Sequence, residues 1–220
     1  MPSFQQHRDT LERWRRFPAL ERLESGVALT FDDGPDADAT PAVLDALRAG
    51  GARAVFFLVG EQVEAHPELV RRVADSGHVV ALHGFRHVEH DELGDGARAD
   101  LERGAAAVAA ATGVEPRLYR PPYGRFSERS YAAAHELGLT PVYWSAWGSD
   151  WEPIPSERIA ETAIRDLGPG AIVLLHDSAR YATRPSAVPT AEALPAILAA
   201  MNERRLEPVP IPAGGAGAGE

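Results

Sequence analysis

The sequence predicts an α/β fold, an incomplete and distorted (β/α)7 barrel, on three observations. From Gly26 onward, short apolar runs rich in Val, Ile, Leu and aromatics alternate with segments of helical period, the pattern of repeated strand–helix units on a parallel sheet. Seven such runs can be drawn. Charged and aromatic residues gather directly after them, where the loops of a strand–helix barrel converge on one mouth. An open doubly wound sheet has the same element order, and periodicity does not separate the two.

Residues 4–24 place Phe4, Leu11, Trp14, Leu20 and Leu23 at roughly helical spacing among charges. This predicts an amphipathic helix over residues 1–25 packed on the domain, its interspersed acids favouring a solvated outer face over membrane contact. The domain proper spans 26–212, with strands expected at 27–31, 54–59, 79–82, 117–119, 141–145, 171–175 and 207–211. Helices fit between them at 40–49, 67–76, 97–111, 127–137, 156–167 and 190–204. Ser127 and Ser156 read as N-caps, and Gly77, Gly113, Gly138 and Gly168 stand just past helix ends. The stretch 213–220, mostly Gly and Ala, is too poor in large apolar groups to offset its ordering entropy and is expected to be a loose tail.

A chain of 220 residues, 45% hydrophobic and 25% charged, can bury a full core. Its formal net charge of −10 argues against a nucleic-acid partner, because phosphate binding draws most of its affinity from clustered Lys and Arg. Cysteine is absent, so disulfides and thiolate metal sites are excluded and His, Asp and Glu are the strong ligands that remain. The first residues contain no apolar run suited to a secretory signal or membrane span, so the chain is expected to be cytoplasmic without membrane insertion; a trimmed secreted chain would read the same way. Nothing in the sequence specifies an oligomeric state.

The strand ending at Phe31 is followed by Asp32-Asp33-Gly34-Pro35, and the one ending at Leu82 by His83-Gly84-Phe85-Arg86-His87. Arg120-Pro121-Pro122-Tyr123-Gly124, Trp147-Gly148-Ser149-Asp150-Trp151 and His176-Asp177 follow the later strands. Asp32 and Asp33 are adjacent, so on an extended chain their carboxylates diverge, which permits one to serve a metal and the other a water. The same run is also a good turn sequence. His83 and His87, four apart, can reach one ion from a helical turn or curled loop. With Asp33 they make a two-His, one-carboxylate set that leaves coordination positions open, the arrangement of a catalytic ion. His90, three residues on, is a rival that reads more simply as part of a solvated loop, and His78 reads as serving a turn.

These residues resemble the polysaccharide deacetylases, also called the NodB homology domain or carbohydrate esterase family four. Thr30-Phe31-Asp32-Asp33-Gly34-Pro35 resembles the first signature, and the later motifs follow in the family's order over roughly 26–212. The resemblance implies a NodB-type barrel that removes N-acetyl groups from an amino-sugar substrate. It implies Asp32 as base, with Asp33, His83 and His87 binding a divalent ion, usually Zn2+, with Co2+ or Ni2+ able to substitute. Arg120 would orient Asp32, the Tyr123 backbone N–H would help hold the oxyanion, and His176 would be the acid, oriented by Asp150. Trp151 and Leu174 would line the acetyl-methyl pocket.

Two positions depart from the family pattern: Gly84 stands where Ser or Thr follows the first histidine, and Trp147 where an Asp precedes Asp150 by three. The absent signal shifts the expected substrate toward an amino sugar, glycolipid precursor or acylated metabolite rather than an exported polymer. The loop after His176 offers Arg180, Tyr181 or Arg184 as substrate contacts, with Arg125 a further candidate at the mouth. Two alternatives accompany this reading: an O-acetyl esterase or other small-amide hydrolase on the same site, and an inactive carbohydrate-binding barrel.

Overall fold

Seven parallel strands form one curled sheet in a computed structural model that describes residues 15–212. In chain order the elements are β1 (Val27–Asp32), α1 (Ala39–Ala49), β2 (Ala54–Leu58), α2 (Gly60–Ala65), α3 (Pro67–Asp75) and β3 (Val79–Leu82). Then follow α4 (His90–Leu93), α5 (Ala97–Thr112), β4 (Leu118–Tyr119), α6 (Glu128–Glu136), β5 (Thr140–Pro141), β6 (Ala146–Trp147), α7 (Ser156–Arg165), β7 (Ala171–His176) and α8 (Val188–Glu203).

The strand order β5-β4-β3-β2-β1-β7-β6 decides between the two folds that periodicity left open. A doubly wound sheet reverses direction at a switch point, whereas here the first and last long strands lie side by side and the order runs as a ring interrupted between β5 and β6. The chain itself crosses that interruption. Val142 N donates to Tyr119 O, Tyr143 N to Leu20 O, and Ser145 N to Ile172 O, so successive residues hand over from the β4 edge to the β7 edge. The strand predicted at 141–145 is therefore split, with two-residue β5 on one edge and β6 on the other.

Alternation along the strands divides the interior in two. Val27, Leu29 and Phe31 of β1 face outward with Val173 and Leu175 of β7 into a core shared with α1, α7 and α8. Ala28 joins Phe57, Tyr119, Tyr143, Ile172 and Leu174 in a second cluster inside the curl. Thr30 and Asp32 share that inner face with His176 by the same alternation, which brings reactive groups to one end of an otherwise apolar interior.

Several expectations need correction. The N-terminal helix falls partly on residues 1–14, outside the described residues; residues 15–25 run without helix and pair instead, Leu20 with Val142 and Arg22 with Ala171. The predicted strand at 207–211 reduces to a bridge between Pro208 and Val27, because β1 already has β2 and β7 on its two edges and alternate prolines remove donors. Ser127 caps α6 as expected, in a reciprocal box with Ser130, but Pro155 rather than Ser156 occupies the N-cap of α7. The tail 213–220 lies outside the described residues. Among the described residues no helix is long and apolar enough to cross a membrane.

Candidate active site

The strand ends of the inner face open into a cavity of about 350 Å³. Asp32 and His176, the last residues of β1 and β7, are register partners on adjoining strands, so two titratable groups project side by side into it. Asp33 leaves the extended line, with φ +77°, and its carboxylate turns toward the loop after β3. Four non-glycine residues have left-handed backbone among the described residues, and three of them, Asp33, Tyr123 and Ser149, lie in the loops of this mouth. Such strain persists only where surrounding structure enforces it, and it collects at functional sites.

Asp33 Oδ1 stands 3.0 Å from His87 Nε2 and 3.4 Å from His83 Nε2. One ligand atom from each of the three residues lies within 4.8 Å of the others. Ligands about 2.0–2.2 Å from a tetrahedral Zn2+ are separated by about 3.3 Å, so the trio has the spacing of a coordination face. His83 Nδ1 is 2.8 Å from the Arg120 carbonyl, which fixes the proton there and leaves the Nε2 lone pair pointing at Asp33. That Nε2 is buried and has no hydrogen-bond partner in the chain. Burial alone would raise the Asp33 carboxyl, but the facing imidazoles of His83 and His87 hold it well below the ordinary range. The residues present thus fit a divalent cation.

Arg120 ties that trio to Asp32. Its side chain is fully buried, with Nη1 donating to Asp32 Oδ1 at 2.7 Å and Thr30 Oγ1 at 2.8 Å, and Nη2 to the Tyr143 carbonyl at 2.9 Å. Its guanidinium also lies over the Phe57 ring at 4.1 Å. Burial pushes the guanidinium pKa down while the Asp32 charge pulls it back up. One residue therefore fixes a carboxylate with its side chain and an imidazole tautomer with its backbone.

Across the mouth, His176 Nδ1 is 2.8 Å from Asp150 Oδ1, and the His176 backbone N–H donates to Oδ2 at 2.8 Å. This leaves Nε2 for the cavity. Trp151 meets the imidazole edge-on at 5.8 Å, and Leu174 lines the floor. Trp147, the departure from the family pattern, is packed inside the curl and leaves the Asp150–His176 pair intact. Tyr123 is half exposed at the rim.

The structure thus brings together Asp32, Asp33, His83, His87, Tyr123, Trp151, Leu174 and His176 around one cavity, with Arg120 and Asp150 behind them. Tyr181 also lines it, stacked on His87 with ring centroids 4.0 Å apart. Arg125 lines the rim, paired with Glu89 at 2.6 Å. Arg184 does not: it is buried and turned toward Asp150, because partners remote in sequence enclose it. Arg180 is exposed and does not line the cavity. His90, expected in a solvated loop, begins α4 and is buried against the Tyr119 hydroxyl at 2.8 Å. Trp144 and Glu89 line the cavity without having been singled out; only their proximity to loops already marked by Asp150 and His87 signalled them.

The model of the family described as polysaccharide deacetylase matches residues 20–142. A chitooligosaccharide deacetylase of Bradyrhizobium sp. is 36% identical over 203 residues, covering 84% of this chain and 89% of that protein. A peptidoglycan-N-acetylglucosamine deacetylase of Bacillus cereus is 35% identical over 157 residues, 69% of this chain, which spans 56% of that protein's length. Among solved structures, a family 4 acetyl xylan esterase from Clostridium thermocellum in complex with a cobalt ion superposes with a TM-score of 0.75 at 31% identity, covering 84% of this chain and 87% of that one.

Proposed function

This chain belongs to the polysaccharide deacetylase family, and from that premise we propose that it hydrolyses the N-acetyl group of an N-acetylglucosamine-containing glycan, with Asp32 as base and His176 as acid. The observation that carries the reading is the pairing of Asp32 with His176 in register, each carboxylate or imidazole held from behind, beside a trio spaced for a cation. The names of the relatives support the substrate class, as do the aromatic rings of Tyr123, Trp144, Trp151 and Tyr181 along the cavity. A net charge of −10 fits a neutral sugar better than a polyanion.

Asp33, His83 and His87 would hold the cation; two imidazoles and a carboxylate suit Zn2+, with Co2+ or Ni2+ as substitutes. When bound there, a divalent cation supplies Lewis acidity toward the acetyl carbonyl and toward water. Asp32 takes the proton of the attacking water, and the bond from Arg120 to Oδ1 keeps its other oxygen directed at the cavity. The backbone N–H of Tyr123 donates to the oxyanion as it forms. His176 then delivers a proton from Nε2 to the nitrogen, because an amine leaves poorly as an anion. Trp151 and Leu174 flank the acetyl methyl.

Metal analysis coupled to acetate release from a chitooligosaccharide tests this reading. Asp32→Asn is expected to retain the cation and lose turnover; loss of the cation instead would mean the two aspartates are reversed. The likeness to an acetyl xylan esterase favours a second reading, cleavage of O-acetyl esters at the same site. Preference for acetylated xylan over the chitooligosaccharide would support it.

A further inference from the structure

Behind the acid lies a buried polar cluster that the reaction above does not use. Besides the two donors from His176, Asp150 Oδ2 accepts Thr190 Oγ1 at 2.7 Å and faces Arg184 Nη2 at 3.4 Å. Arg184 Nη1 donates to Thr190 Oγ1 at 2.7 Å. That hydroxyl carries one proton, so with the guanidinium on its oxygen the proton is committed to Asp150. Nη2 also reaches the His176 carbonyl at 3.1 Å. The side chains of Arg184, Thr190 and Asp150 are all buried, so the guanidinium serves the acid and its partner rather than ligand or solvent.

We propose that Arg184 and Thr190 are positioning residues for amide cleavage, holding Asp150 fixed and charge-compensated so that His176 can present its proton and release it. This rests on the reading of His176 as the acid. In that step the C–N electron pair goes to nitrogen, the bond breaks, and the proton passes from His176 Nε2 to the departing amine; nothing is oxidised or reduced. His176 is then a neutral imidazole beside a buried carboxylate, and a buried anion without a partner is strongly unfavourable. With Arg184 in place the trio passes from one net positive charge to neutrality, instead of from neutrality to a bare anion. The other charged groups facing His176 are Asp32 at the end of β1 and Asp33 just past it, both of which favour keeping the proton on the imidazole. Arg184 is the cation set against them on this side.

A change of leaving group separates this role from a general structural one. The full chain, supplemented with Zn2+, is assayed on a chitooligosaccharide amide and on 4-nitrophenyl acetate, whose phenolate leaves without a proton. Arg184→Met and Thr190→Val are each expected to lower the ratio of amide to ester kcat by roughly tenfold or more, with little change in KM for the amide. Thr190→Ser, which keeps the hydroxyl, is expected to restore the ratio. A parallel fall on both substrates, an unchanged ratio, or a rise in KM alone would overturn the proposal. His176→Ala separates it from the reading beneath: retained amide turnover would remove His176 as the acid. Lost turnover in His176→Ala, with a wild-type ratio in the other variants, would remove only the positioning role.

Discussion

The two sides of the mouth follow opposite rules. On the side built by β1 and β3, Asp33, His83 and His87 converge, and the buried His83 Nε2 that faces Asp33 finds no hydrogen-bond partner in the chain. On the side built by β6 and β7, Asp150 is met by His176 through both backbone and ring, by Thr190 and by Arg184. Buried polar groups are normally satisfied, so the His83 nitrogen that the chain leaves open beside Asp33 is one completed from outside. The Asp150 carboxylate is saturated from within, although Arg184 Nε behind it lacks a hydrogen-bond partner in the chain. Substitutions on the first side should register in what the protein retains, and those on the second in the chemistry alone.

The largest effect sharpens this division. His83→Ala and His87→Ala are each expected to abolish cation retention through gel filtration and to lower acetate release on the order of a thousandfold or more. His176→Ala is expected to keep the cation and still lose amide turnover by roughly a hundredfold or more. Metal content beside kcat decides it: a His83→Ala protein that retains its cation, or a His176→Ala protein that loses it, would break the comparison.

The saturated side also makes a claim about pH. Burial alone would lower the His176 pKa, but the charge and hydrogen bond of Asp150, aided by Asp33 and Asp32, override it and push the value up to about 9 from 6.5. A raised imidazole pKa means His176 stays protonated through neutrality. The stability it contributes is full below 6.5 and is lost as pH rises through about 9. NMR titration of the chelator-treated protein should find the imidazole titrating near 9, moving down when a divalent cation is added. Asp150→Asn should bring it down toward 6.5 or below and reduce amide kcat tens- to hundreds-fold; an unmoved value would show that Asp150 does not govern the acid.

Much of the open side was legible in the sequence, because its residues follow closely on apolar runs, although alternation fixes the face of Asp32 and not that of Asp33 or His87. The strand ends marked Asp32, Asp33, His83 and His87 as candidates, and the family resemblance gave them their roles. What periodicity could not reveal was pairing: that β1 lies against β7, which makes Asp32 and His176 neighbours, is a property of the closed order rather than of either segment. The short strands β5 and β6 escaped because their residues are divided between two edges. Arg184 reads in the sequence as a substrate contact, and Thr190 goes unmarked, for a related reason. Arg184 stands in a polar loop and Thr190 in the first turn of α8, 34 and 40 residues from the Asp150 that gives them meaning. His90 was misjudged likewise, its acidic neighbours suggesting solvent while Tyr119 and the curl enclose it.

The smallest expected effect concerns how the open side is braced. Related sequences are expected to carry a hydroxyl after the first histidine, so Gly84→Ser looks like a restoration. The backbone argues otherwise. Gly84 has φ +82°, and a Cβ there would lie 3.2 Å from the Arg86 carbonyl oxygen and 3.4 Å from Asp100 Oδ2. The bracing is already supplied from α5, where buried Asp100 accepts the Phe85 N–H at 2.8 Å and Arg86 Nε at 3.1 Å. A serine would meet the left-handed penalty and crowd that carboxylate, so a loss of about 1–2 kcal/mol is expected. In a chain of this size that is a fall in Tm of roughly 2–8 °C, readable by thermal melt, with cation affinity weakened far less than by His83→Ala. A Gly84→Ser protein that melts higher and binds the cation more tightly would mean the loop re-forms around the new hydroxyl. The open side would then owe its shape to the histidine loop itself, and not to the helix behind it.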